Sequence, residues 1–207
     1  YTTLFRSRTG TGIRMAEKEA NDDERNIGFG RGYHWAMWAS ITDEAVYSND
    51  DQTYLVQRGQ LSPSIYGWTS TAWGRSYRGI REVNLALEKI DETPFTDERR
   101  NLLKAELRFI RAYRYFDLMK GFGGVSLIGD EVPKLGDDFT MLYLRDNLFE
   151  TVEYIRTELD AIIPLLPDDP GSDWESGRAT SAAAMGLKSR LLLYAASPLY
   201  SVSDCRF

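Results

Sequence analysis

The sequence predicts an all-α protein built from tetratricopeptide-like antiparallel helix pairs with long irregular loops, and three observations carry that prediction. Apolar residues recur three and four positions apart over several long stretches, the period of a helix with one buried face. Helix start and stop residues bound those stretches. Two successive helix pairs also repeat one apolar pattern, as in a helical-repeat array. With 207 residues and 43% apolar content the chain has material for a globular core. Its net charge of −6, with acids interleaved among the arginines, excludes an extended basic track for nucleic acid.

Residues 21–44 contain GRGYHWAMWASITDEA, which puts Trp35, Trp38 and Ile41 or Thr42 on one helical stripe and assigns both tryptophans to the core. From Val46 to Trp68 the periodicity fails, and YSNDDQTYLVQRGQLSPSIYGW reads as a long polar surface loop punctuated by Ser62-Pro63 and Gly67. Loops of this length inside a compact domain are often functional. A second helix is expected over residues 71–90, with Trp73, Tyr77, Ile80, Val83 or Asn84, Leu87 and Ile90 facing inward.

A third helix opens at Thr96 as N-cap, where Asp97 and Glu98 meet the positive helix end, and is expected to stop at Gly121. Its inward stripe is Ala105, Phe109, Ala112 or Tyr113, and Phe116. The glycine-rich GFGGVSLIGDEVP that follows lacks a Walker lysine, so it reads as helix capping and a turn rather than a phosphate loop. A fourth helix is expected over residues 144–163 on Leu148, Val152, Ile155, Leu159 and Ile162, ended by Pro164 and Pro167, and a last one over residues 180–196, stopped by Pro198.

The repeat lies in these last four helices. Ile80, Val83, Leu87 and Ile90 map onto Val152, Ile155, Leu159 and Ile162 at an offset of 72, while Ala105, Phe109, Tyr113 and Phe116 map onto Ala183, Leu187, Leu191 and Tyr194 at an offset of 78. Small residues at Ala105, Ala112, Ala183 and Ala184 are expected to let the helices approach closely.

Several function classes drop out. A single cysteine, Cys205, and a single histidine, His34, leave no disulfide framework and no Cys- or His-based zinc site. Asn49-Asp50-Asp51 lacks the glycine and closing glutamate of a calcium loop, so no metal or cofactor is expected. The opening YTTLFRS reads as a translated sequencing-library adapter, so residues 1–12 are expected to be non-native or disordered, with residues 13–207 forming one helical-repeat domain truncated at the carboxyl end.

Three blocks are together similar to successive blocks of the SusD/RagB family: WGRSYRGIREVNLALEKI, AELRFIRAYRYFDLMKGFGGVSLI, and LPDDPGSDWESGRATSAAAMGLKSRLLLYAASPLY. The resemblance implies an outer-membrane lipoprotein on the extracellular face, its lipid anchor absent from this stretch. Such a protein binds oligosaccharides or other nutrients and passes them to a SusC-type TonB-dependent transporter. It also implies a site drawn partly from the loop before Trp73. There Tyr47, Tyr54, Tyr66 and Trp68 offer flat faces for the C–H side of a sugar, and Asn49, Asp50 and Arg58 offer hydrogen bonds to its hydroxyls. Trp73, Tyr77 and Asn84 lie on a helix stripe and are assigned to structure. The row Arg108, Arg111 and Arg114 is expected to be a solvated or ion-paired surface, or a face toward the transporter. Two other readings stay open: a protein-interaction scaffold, and a glycoside hydrolase, for which no carboxylate pair stands out in the sequence.

Overall fold

The computed structural model describes residues 43, 58–60, 62, 68–134, 136–137, 144–168 and 177–198. Residues 1–12, and the helix expected over residues 21–44 apart from Asp43, lie outside the described residues. The chain divides into two compact units, with the boundary between Arg75 and Ser76. The unit from Ser76 onward carries the described architecture.

Four α-helices are present among the described residues: α1, Trp68–Lys89; α2, Asp97–Phe122; α3, Leu148–Ile162; and α4, Ser181–Ala195. Short 3-10 turns, Ile90–Glu92 and Ile163–Leu165, extend α1 and α3, and no strand occurs among the described residues. No described helix is long and apolar enough to cross a membrane.

The ends of the helices follow local chemistry. Thr96 caps α2 by accepting a hydrogen bond from the Arg99 N–H at 3.3 Å. At its other end α2 runs past the expected Gly121 to Phe122. The capping glycine is Gly123, at φ 73°, and its N–H donates to the Met119 carbonyl at 2.9 Å. Helix α3 starts four residues later than its apolar period suggests, behind a capping box: Asn147 Oδ1 accepts from the Glu150 N–H at 2.9 Å, and Glu150 Oε2 accepts from the Asn147 N–H at 3.0 Å. Leu144 is exposed, and residues 144–147 lie outside the helix, bonded instead to the glycine turn: Asp146 Oδ2 accepts from Leu127 N–H at 2.8 Å. Thr180 caps α4 through the Ala183 N–H at 3.2 Å.

The helices pair as the repeat predicts. Val83 of α1 and Ile90 of the 3-10 turn that extends it form one apolar cluster with Leu103 and Leu107 of α2. Farther up α1, Asn84 meets Arg111, and Gly79 lies against the Arg114 side chain, so the two run antiparallel. In the same sense, Pro167 and Ser181 join at one end of α3 and α4 (Ser181 N–H to Pro167 carbonyl, 3.0 Å), while Asp160 pairs with Lys188 farther along. Helix α2 also packs on α3, where Tyr115 and Tyr154 make an edge-to-face pair at 5.2 Å, and on α4, where Phe116 and Tyr194 do so at 5.5 Å.

With neighbours on several sides, α2 buries more than one stripe. Leu103, Leu107, Tyr115, Leu118 and Met119 are buried in addition to the expected Ala105, Ala112 and Phe116, whereas Phe109 is only half-buried. Each fully buried Leu or Ile contributes roughly 1.5–3 kcal/mol. In α4 the buried residues are Ser181, Ala184, Leu187 and Leu191, so of the two alanines expected at a close contact Ala184 is buried and Ala183 is exposed.

Candidate functional site

Of the seven loop residues proposed to meet a ligand, Tyr47, Asn49, Asp50, Tyr54 and Tyr66 lie outside the described residues. Arg58 is exposed in a turn whose next residue, Gly59, takes φ 65°. Trp68 is not a loop residue, because helix α1 begins three positions earlier than expected and takes Trp68 as its first residue.

Beyond that loop, the described residues build a polar centre between α1, α2, α3 and the segment after Gly123. One face of α1 holds that segment in place. Tyr77 Oη donates to the Ser126 carbonyl at 2.9 Å, Arg81 Nη1 donates to the Pro133 carbonyl at 2.7 Å, and Asn84 Nδ2 donates to the Gly129 and Glu131 carbonyls at 2.9 and 2.7 Å. Positions 77, 81 and 84 lie four and three residues apart, so their side chains rise from one side of the helix. Tyr77 and Asn84 therefore carry structure, as their stripe position implies.

Behind Asn84 sits Arg111, whose side chain is 2% exposed. Its Nη1 donates to Asn84 Oδ1 at 2.8 Å, to the Gly129 carbonyl at 3.0 Å and to Asp130 Oδ1 at 2.5 Å, and its Nη2 donates to Glu158 Oε2 at 2.9 Å. Arg108 forks onto the same carboxylate, Nε to Oε2 at 3.0 Å and Nη2 to Oε1 at 2.8 Å. Two members of the arginine row, Arg108 and Arg111, are thus ion-paired, and Arg111 is interior rather than on a surface. Arg114 lies with its side chain against Gly79.

Electrostatics follow the geometry. Burial works against the charge on Glu158, but the hydrogen bonds from Arg108 and Arg111 outweigh it and hold the carboxyl below its ordinary pKa. Burial likewise opposes the Arg111 charge, and Tyr154, Glu158 and Asp130 around it still raise its pKa. Burial pushes the Tyr154 phenol up to about 12, and its Oη, like Arg111 Nε, is buried without a protein hydrogen-bond partner.

An open groove of about 900 Å³ lies over this centre. Asn84, Leu87 and Glu88 of α1 form one wall and Lys104 and Arg108 of α2 another, with residues 130–134 closing a third side. A smaller cavity of about 250 Å³ shares Asn84 and Pro133 with it and reaches Tyr77 and Ile128.

Two further features were not foreseen from the sequence. Arg178, in the turn before α4, forks onto buried Glu106 of α2, with Nε to Oε1 at 3.0 Å and Nη2 to Oε2, tying the second helix pair to the first. Gly124 lies so close to the start of α3 that a Cβ there would collide with the Asp146 carbonyl oxygen and stand 2.7 Å from the Asn147 carbonyl carbon. The only sequence signal for either was their place in the blocks that carry the family resemblance.

Known proteins share this fold. A SusD-like protein of Bacteroides fragilis is 31% identical, with a TM-score of 0.62 over 69% of this chain and 27% of its own length. Surface glycan-binding protein A of Bacteroides uniformis is 26% identical, with a TM-score of 0.52 over 60% of this chain and 27% of its own. A laminarin-binding SusD-like protein, at 20% identity, shares the fold over 94% of this chain and 40% of its own, with a TM-score of 0.74. This chain therefore spans well under half the length of each. Among curated proteins no sequence is significantly similar. The family model described as SusD-like, starch-binding and associating with the outer membrane matches residues 27–193, a span that takes in the helix pairs, the Arg111 centre and the Glu106–Arg178 tie. The chain belongs to the SusD-like family.

Proposed function

We propose that this chain is part of a cell-surface lipoprotein of the outer membrane that captures oligosaccharides and passes them to a SusC-type TonB-dependent transporter, without catalysing a reaction on them. The observation that carries the reading is the family match over residues 27–193. Support comes from relatives whose names state glycan binding, among them the Bacteroides uniformis protein. The chemistry of the loop, and of Trp68 at the start of α1, agrees with it. Tyr47, Tyr54, Tyr66 and Trp68 supply apolar flat surfaces, and Asn49, Asp50 and Arg58 supply directional hydrogen bonds to hydroxyls.

Titration of the intact protein with neutral oligosaccharides, followed by an assay for new reducing ends, tests both halves of this reading. Binding without release of reducing ends is the expected outcome, and turnover would overturn the non-catalytic half. Trp68→Ala, with the helical circular dichroism unchanged, is expected to weaken binding at least tenfold; an unchanged affinity would remove Trp68 from the site. Co-purification of a TonB-dependent transporter from native membranes tests the handover, and its absence under mild detergent would count against it.

A further inference from the structure

We propose that the groove between α1, α2 and residues 130–134 is a second sugar-binding site, selective for an uncharged, hydroxyl-rich ring or short oligosaccharide. The inference rests on the glycan-capture reading and assigns residues outside the aromatic loop. The first argument is size. A groove of about 900 Å³ lies within the roughly 300–1,000 Å³ of small-molecule sites, so it has room for a short oligosaccharide.

The second argument is charge. Five carboxylates and three cationic side chains line the groove, in close alternation. An anion entering would meet Glu88 and Glu131, and a cation would meet Lys104 and Arg108. No cluster of three or more carboxylate, histidine or cysteine ligands for a metal occurs among the described residues. A hydroxyl both donates and accepts, so a polyol satisfies such a lining without opposing either sign.

The third argument is preorganisation. Arg108 is held by its two bonds to Glu158, Lys104 by Asp91 at 2.9 Å, and Asn84 by the Gly129 and Glu131 carbonyls. Groups already fixed lose little rotamer freedom when a ligand arrives. Leu87, Val132 and Pro133 add an apolar patch for the C–H face of a sugar ring.

The experiment is calorimetric titration of the intact protein with neutral β-glucan oligosaccharides and with a uronic-acid oligomer. It compares the wild type with the triple variant Glu88→Ala, Lys104→Ala, Lys134→Ala, whose side chains are partly or fully exposed and whose melting temperature serves as the folding control. We expect the triple variant to lose at least fivefold in neutral-oligosaccharide affinity with an unchanged melt, and the uronic-acid oligomer to bind more weakly than the neutral ones. Neutral binding that is identical in the triple variant would overturn the groove and leave glycan capture standing. Tighter binding of the uronic-acid oligomer that depends on these three residues would overturn the neutral class. No binding of any oligosaccharide by the wild type would overturn the capture reading and the groove together.

Discussion

Replacing Glu158 with alanine isolates the buried ionic centre. The change removes three charge-assisted bonds, two from Arg108 at 3.0 and 2.8 Å and one from Arg111 at 2.9 Å. Arg108, with 30% of its side chain exposed, can turn to water, so its share of the loss is within about 1 kcal/mol. Arg111, at 2%, cannot turn to water; its remaining anion is Asp130, 82% exposed and screened by solvent. Leaving a buried cation without its partner costs about 3–5 kcal/mol, a large part of the roughly 5–15 kcal/mol that holds a domain folded. Urea unfolding is therefore expected to show a midpoint lowered by more than about 1 M, for a slope of about 1–3 kcal/mol per molar. Adding Arg111→Met to Glu158→Ala removes the stranded charge, so the double variant is expected to recover part of the loss. Acid sharpens the test. Because the folded pKa of Glu158 lies below 4.5, its contribution is fully present above that value and is lost as pH falls through the lowered pKa, so Glu158→Ala should lose less stability on acidification than the wild type. A Glu158→Ala unfolding free energy within about 0.5 kcal/mol of wild type, or a double variant less stable than the single one, would refute a desolvated Arg111.

Three further outcomes follow from the packing. Gly124→Ala forces the backbone of α3 to move, because the obstructing atoms are main chain; a loss of about 1–3 kcal/mol in the same urea assay is expected, and a neutral result would refute the close approach. Asn147→Ala removes the side-chain half of the α3 capping box, the Oδ1 that accepts from the Glu150 N–H, and should cost about 1 kcal/mol, read as faster amide exchange in the first turn of α3; unchanged exchange there would refute the cap's contribution. Leu193→Lys, at a side chain 70% exposed on the outer face of α4, should change stability by less than about 0.5 kcal/mol and reduce concentration-dependent self-association in light scattering; a large loss of stability would mean that the residue is buried.

What the sequence disclosed depended on whether the deciding contacts were local. The α1–α2 and α3–α4 pairings were legible because the apolar period and the Thr96 cap lie within single helices. The start of α3 was misplaced because Leu144 fits the period, although Asn147 and Glu150, three apart, spelled the true boundary. In α4 the expected Leu187, Leu191 and Ala184 are buried but Ala183 is not, because this helix is apolar on nearly every side and its pattern does not mark which small residue faces inward. Burial of Arg111 was not legible at all, since its partner Glu158 lies 47 residues away and on another helix.

The residues that carried the family resemblance share one property. Asn84 and Arg111 fasten the segment after Gly123, Gly124 permits the approach of α3, and Glu106 with Arg178 joins the two helix pairs. All are joints of the scaffold and depend on one arrangement of helices, whatever the ligand. A sugar site needs only that some flat and some hydrogen-bonding side chains converge, a requirement many loop sequences satisfy. Joints therefore leave a readable pattern of residue types at fixed spacing, while the contacts that choose a glycan leave none. This is the physical reason why the family is recognisable from this chain before its ligand is, and why the binding experiments must be directed at the aromatic loop and the open groove rather than at the buried ionic centre.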